Sequence, residues 1–250
     1  MLGHVVVRHL EELGFDVATI HRRFSDANEI ESFVREVDRL APDWCINCIG
    51  VRSGPNVSDE WVDTVNHRLP AACSRFLNPH CGFVHASSDA VFSSMAGDCH
   101  WDREMDAMDV YGRSKREAEL ALKRTNDVVV RCSIVGPEQG TTKSLMDWFR
   151  SQEGVVRGFT NHDWNGVTTL QWAKECAARI TDGNRKDRIL QLASEPVVTK
   201  AELLRLIADR WEVNCEIQES EGAEPVHRPL IPNREPVSMR LLLAELQAWY

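Results

Sequence analysis

The sequence predicts an α/β fold: a doubly wound parallel sheet that lacks its first strand, with a small C-terminal substrate lobe. Three observations carry this. Short apolar runs alternate with longer amphipathic ones through the first half. The alternation loosens after Gly136-Pro137. The chain opens directly on a helical pattern, where a dinucleotide-binding sheet places a strand and a glycine turn first.

Taken in order, Val5–Leu13 has helical periodicity and Phe15–Ile20 reads as a strand. Ala27–Leu40 reads as a helix, with Ile30, Phe33, Val34, Val37 and Leu40 on one face. Asp43–Ile49 is a buried strand, Asp59–Leu77 a helix, Gly82–Ser87 a strand and Tyr111–Lys123 a helix. Asp127–Val135 is rich in β-branched residues, which suits a strand. Beyond residue 136, Ser144–Gln152, Thr168–Ile180 and Thr199–Trp211 look helical, with a short strand at Arg188–Leu192. Glu219–Pro236 reads as an extended, solvated segment and Ser238–Trp249 as a closing helix. The predicted division is a dinucleotide-binding unit over 1–136 and a mainly substrate-binding lobe over 137–250.

Composition excludes several classes of function. The 250 residues are 43% hydrophobic, which suits an ordinary packed core. The net charge of −9 argues against a nucleic-acid partner, since phosphate backbones require a basic surface. No apolar run is long enough to span a membrane, and no signal peptide is evident, so a cytoplasmic location is expected. The eight cysteines are then free thiols. Cys45 and Cys48 have CxxC spacing, but residues three apart on a strand face opposite ways and no second ligand pair follows. No metal site is expected, because the nine histidines show no ligand spacing.

The chemistry-bearing pattern is Tyr111-Gly112-Arg113-Ser114-Lys115, preceded by Ser87-Ser88-Asp89 at a strand end. Tyrosine and lysine four apart share a helix face. A lysine charge beside a tyrosine lowers the phenol pKa toward neutrality, where it can exchange protons. A serine hydroxyl from the strand end can hold the same reacting oxygen. Ser88, Tyr111 and Lys115 are therefore the candidate catalytic trio, with Ser88 and Asp89 also at the substrate. Trp164, beside Asn161, His162 and Asn165, is the one tryptophan placed to line a sugar pocket, with Asn165 as its neighbour there; the others suit core packing.

These segments resemble the extended short-chain dehydrogenase/reductases, and most of all the dTDP-4-dehydrorhamnose reductase family. Pro42–Asn47 resembles that family's Pro-Asp-x-x-Ile-Asn strand, and Asn66 and Pro70 its Asn…Pro helix. His85–Phe92 resembles its Ser-Thr-Asp-x-Val-Phe segment, Tyr111–Lys115 its YGxxK, and Val130–Ser133 its Arg-Thr-Ser strand. Gly158–Leu170 departs from the usual Gly-x-Pro-Thr segment and is similar to sugar-nucleotide reductases of surface-polysaccharide pathways. The resemblance implies a Rossmann-like fold and reduction of a 4-keto nucleotide-activated deoxysugar. It also implies a nucleotide-sugar partner, with a homodimer possible.

Met1-Leu2-Gly3 fits the tail of the family's glycine turn, so the first strand and turn are expected to be missing and cofactor binding weakened. Gly3 is the remaining candidate of that turn. Arg22 and Arg23 follow Phe15–Ile20, where a ribose-recognition residue sits. Their planar forks suit a 2′-phosphate, favouring NADP, with NAD possible. Asp26 is the candidate at the adenine edge. Asn47, Ile49 and Gly50 end a strand at the cofactor crevice, and Lys115 would bind the nicotinamide ribose. Two rivals stand beside reduction: a nucleotide-sugar epimerase or dehydratase on the same scaffold, and a non-catalytic regulatory subunit resembling the methionine adenosyltransferase β subunit.

Overall fold

The computed structural model describes residues 1–20, 25–182 and 187–250. Nine α-helices are described: α1 (Leu2–Glu12), α2 (Glu29–Arg39), α3 (Asp59–Asp63), α4 (Leu69–Phe76), α5 (Val110–Ala121), α6 (Leu145–Arg150), α7 (Thr169–Asp182), α8 (Lys200–Trp211) and α9 (Met239–Trp249). The strands are β1 (Trp44–Asn47), β2 (Gly82–Ala86), β3 (Asp127–Arg131), β4 (Ile134–Val135), β5 (Gly154–Phe159), β6 (Asp163–Trp164), β7 (Val167–Thr168), β8 (Ile189–Gln191), β9 (Val198–Thr199) and β10 (Cys215–Ser220).

The central sheet has the order β1-β2-β3-β8, with every ladder parallel. Successive strand side chains face opposite layers, and the sequence uses both. Ile46, Val84, Val128 and Val130 pack on one side with α1, α7 and α9. Cys45, Phe83 and Val129 pack on the other with α2 and α4. A sheet buried on both faces needs continuous apolar strands, which explains why β3 reads Asp-Val-Val-Val-Arg with every residue buried. The helices on both faces make the sheet doubly wound, as expected.

Several features differ from the sequence reading. Phe15–Ile20 keeps a two-faced pattern, with Phe15 and Val17 against one core and Ile20 against the other. Yet it forms no strand, and among the described residues β1 pairs only with β2. Alternation fixes which faces are apolar; a ladder also needs a neighbour to exchange backbone hydrogen bonds with. Second, three short ladders in the last 120 residues escape periodicity: β5–β10 and β4–β7, both parallel, and β6–β9, antiparallel. Third, Glu219–Pro236 is not a solvated strap. Its residues bridge back at Val226–His162 and Leu230–Cys99, and Leu230 is buried.

The expected single helix Asp59–Leu77 is broken by a π-helical turn over Thr64–Arg68, between α3 and α4. Such insertions often mark functional positions, and this one carries buried Asn66. No helix among the described residues is long and apolar enough to cross a membrane. The eight cysteines are free, and burial pushes the Cys45 and Cys48 thiols up to about 12.

Candidate active site

The site forms where β1 and β2 end and α5 begins. Asp109 caps α5, accepting the Gly112 amide at 2.9 Å. Gly112 then meets the turn after Ser88 with no room to spare: a Cβ there would lie 2.2 Å from the Ala90 carbonyl oxygen. Only glycine permits that approach, and it brings Tyr111 against Ser88. The Ser88 hydroxyl hydrogen-bonds Tyr111, donates to Asp89 Oδ1 at 3.0 Å and accepts the Ala90 amide at 3.2 Å.

One helical turn further, the Lys115 ammonium is buried and donates to the Ala86 carbonyl at 2.9 Å. Burial lowers its pKa to about 8, against the opposing pull of the Glu119 carboxylate. The sequence expectation of a depressed tyrosine is corrected here. Burial raises the Tyr111 pKa, and Asp89 adds to the rise; the hydrogen bond with Ser88 and the Arg52 and Arg228 charges only partly offset it. Desolvation outweighs nearby positive charge in this pocket, so Tyr111 stands as a protonated acid at neutral pH. Ser88 and Tyr111 are hydrogen-bonded, Lys115 follows one turn along the same helix, and the positive charges acting on the phenol are Arg52 and Arg228.

Asn66 is a site residue for which sequence reasoning gave no role. Its amide accepts the Val51 N–H at 2.9 Å and donates to the Val51 carbonyl at 2.8 Å and to Ser114 Oγ at 3.2 Å. The Ser114 hydroxyl donates to the Tyr111 carbonyl at 2.7 Å. Asn66 therefore ties the loop after β1 to the helix carrying the trio. The signal in the sequence was its place in the Asn…Pro helix, which periodicity cannot interpret.

The sequence model of the RmlD substrate binding domain family matches residues 1–247. The chain belongs to this family. No curated protein matches it by sequence. Among solved structures it is similar to a dTDP-4-dehydrorhamnose reductase from Bacillus anthracis in complex with NADP, at 14% identity and a TM-score of 0.83, over 100% of this chain and 95% of that one. A reductase of the same name from Clostridium acetobutylicum matches at 15% identity and 0.79, over 99% and 95%. The Bordetella bronchiseptica enzyme WbmG, in complex with NAD and UDP, matches at 13% identity and 0.75, over 100% and 91%. The expected class, an oxidoreductase of the short-chain dehydrogenase/reductase type, agrees with the family match and with these folds.

Within this RmlD-family chain, the expected cofactor residues separate into three groups. Asn47, Ile49 and Gly50 form the loop at the site. Asn47 Oδ1 accepts the Ile49 amide at 3.0 Å and its Nδ2 contacts His85 Nδ1 at 3.2 Å. A Cβ on Gly50 would sit 3.5 Å from Lys115 Nζ and 3.6 Å from Asn66 Oδ1, so this backbone directly borders the trio. Gly3 lies in the first turn of α1, its Cβ direction 3.6 Å from that of Cys48, which sets the α1 N-terminus at the end of β1. Asp26 instead accepts the Asn28 amide at 2.7 Å at the start of α2, a local turn bond, and among the described residues nothing links it to the trio. Arg22 and Arg23 lie outside the described residues.

The expected substrate residues also part company. Asp89 receives Ser88 and, at 2.8 Å, Ser133 on Oδ1, and Arg228 Nε at 3.2 Å on Oδ2. Arg228 thus joins the site from the C-terminal segment. Trp164 is buried under the Lys200 ammonium, 5.2 Å from its ring. Burial lowers the Lys200 pKa to about 8 although Asp89 pulls it upward. Asn165 spends its amide on the Leu230 backbone, donating at 2.8 Å and accepting at 3.1 Å. It is a strut under the site, with its polar atoms already used.

Proposed function

We propose that this chain reduces the 4-keto group of a nucleotide-activated deoxysugar with NADPH, in the manner named for its dTDP-4-dehydrorhamnose reductase neighbours, as a step in surface-polysaccharide synthesis. The observation that carries the reading is the arrangement of Ser88, Tyr111 and Lys115 at the ends of β2 and α5. Tyr111 is a protonated acid hydrogen-bonded to Ser88, and a buried ammonium stands one turn away.

The residues present fit a nicotinamide dinucleotide. Glycine at position 50 leaves open backbone between Lys115 and Asn66. The first turn of α1 lies against Cys48 at the end of β1, and a helix N-terminus suits a phosphate. The bound dinucleotide would supply hydride to the keto carbon. Tyr111 donates its proton to the ketone oxygen. Ser88 turns its one hydroxyl proton from Asp89 to that oxygen and fixes its direction, while Ser133 and Arg228 keep Asp89 in place. Arg52 and Arg228, the positive charges acting on Tyr111, favour the tyrosinate left behind, and Lys115 would hold the ribose hydroxyls. Trp164, Lys200 and Arg228 would form the sugar and nucleotide side, in the lobe proposed for 137–250. NADP is the preferred cofactor, and the protein is read as soluble in the cytoplasm.

A second reading, an epimerase or dehydratase, is favoured by the fold shared with a dTDP-glucose 4,6-dehydratase solved with NAD and with a UDP-N-acetylglucosamine 4-epimerase. The test is NADPH consumption, followed by absorbance, with dTDP-4-dehydrorhamnose. Stoichiometric oxidation of NADPH with a single reduced sugar product supports reduction. Isomerised sugar with NAD retained and no net oxidation supports the second reading.

A further inference from the structure

Behind the trio lies a buried ionic network that the proton-transfer steps above do not use. Glu119 sits one helical turn beyond Lys115 on α5. Its carboxylate accepts Ser87 Oγ at 2.5 Å, Arg131 Nη2 at 2.6 Å and Arg131 Nε at 3.2 Å. Both members of the ion pair are almost fully buried, with side chains 1% and 3% exposed. Arg131 Nη1 continues to Gln191 Oε1 at 2.9 Å and the Trp101 carbonyl at 3.1 Å. Gln191 Nε2 then donates to the Ile231 carbonyl at 2.8 Å and to the Cys99 carbonyl at 2.7 Å. Asn233 Oδ1 accepts the Gln191 amide at 2.9 Å.

Stability is a weak reason for such a pair, since desolvating two ions commonly costs as much as their attraction returns. What the network does have is position. It joins the residue beside Ser88, the helix of Tyr111 and Lys115, the central strands β3 and β8, and the segment that sends Arg228 to Asp89. The charged and titratable groups facing Lys115 are Glu119 from its own helix and His85 from β2. Tyr111 shares its helix, and Gly50 and Asn66 bring no charge. His85 is buried, and desolvation followed by the Lys115 charge keeps it neutral. Glu119 is the one carboxylate of that set.

Building on the reductase reading, we propose that Glu119 is a positioning residue. Clamped by Arg131 and Ser87, its carboxylate keeps the Lys115 ammonium charged and holds α5 in register with Ser88. Gln191 ties that setting to the C-terminal segment 231–233. A purely structural pair would affect folding alone; a positioning pair affects proton transfer in molecules that remain folded.

The test uses Glu119→Gln and the double variant Glu119→Leu/Arg131→Met, which removes both charges and so leaves no orphaned ion. Two readouts are taken on folded protein. The first is the Lys115 titration midpoint by NMR of lysine-labelled protein, which needs no turnover. The second is the split between kcat and KM. Removing a carboxylate one turn away lowers the midpoint by about one pH unit and kcat about tenfold, with KM within about twofold. Ser87→Ala, which deletes one hydrogen bond and no charge, lowers kcat about threefold and serves where neither charge variant folds. Wild-type midpoint and kcat in the folded variants overturn the proposal. If the wild type itself reduces no keto sugar, the reductase reading fails alone and the titration still decides the role of Glu119.

Discussion

Replacing Lys115 with methionine is expected to stabilise the fold while destroying the activity. Methionine has similar length and needs no solvation. In the wild type, burial drives the lysine pKa from an ordinary 10.5 to about 8. Keeping the ammonium charged inside the folded protein at pH 7 therefore costs about 3 kcal/mol, at about 1.4 kcal/mol per pH unit. The variant loses the hydrogen bond to the Ala86 carbonyl, worth about 1 kcal/mol. The net gain is about 2 kcal/mol, or about 4–8 °C in Tm for a chain of this size. The sign with pH follows from linkage. Between pH 8 and 10.5 the unfolded chain binds the lysine proton more fully than the folded one, so wild-type stability rises through that window relative to the variant. Below pH 8 both states hold the proton and the full difference is present. The assay is urea unfolding of both proteins at pH 7 and pH 10, compared as a difference so that other groups cancel. A variant no more stable than wild type at pH 7, or an advantage that does not shrink at pH 10, refutes the buried-ammonium account.

Other expectations follow from the same geometry. Tyr111→Phe removes the proton donor and lowers kcat by about 10²–10⁴, with Tm nearly unchanged, in steady-state assays and thermal melts. The basic limb of the kcat/KM profile falls near pH 8, where Lys115 loses its charge, and in Lys115→Arg that limb moves well above pH 9 in whatever activity remains. Gly112→Ala forces a Cβ into the Ala90 carbonyl; kcat and Tm fall together, whereas unchanged kcat contradicts the close approach. Asn66→Ala orphans both Val51 backbone groups, costing about 1–3 kcal/mol by urea unfolding and raising KM for the cofactor.

The sheet was legible because burial on two faces leaves few choices of residue. Val128, Val129 and Val130 admit little but a central strand, and Glu29–Arg39 shows its apolar stripe at Ile30, Phe33 and Val34. The candidate trio was picked out by a tyrosine and a lysine four apart on a helix, with a serine where an upstream strand ends. What escaped depends on partners distant in sequence. Phe15–Ile20 has the alternation of a strand without the ladder. The short ladder β6–β9 joins residues 34 to 36 apart, Asp163 to Thr199 at its widest, which no local pattern encodes. Asn165 looked like a sugar ligand because asparagine beside tryptophan suits one, yet its amide is taken by Leu230, 65 residues away. Tyr111 was misjudged for the same reason. The sequence pointed to Lys115 as its charged neighbour, whereas the charges acting on it are Asp89, Arg52 and Arg228, and burial sets the sign.

The central claim is that Ser88, Tyr111 and Lys115 transfer a proton during reduction of a nucleotide-bound ketone. The most direct measurement is single-turnover oxidation of NADPH with dTDP-4-dehydrorhamnose, by wild type and Tyr111→Phe, each verified as folded. The account predicts rapid NADPH oxidation by the wild type and a loss of at least about a hundredfold in the variant. Equal rates in the two proteins, or no oxidation by a wild type shown to bind both ligands, would contradict it.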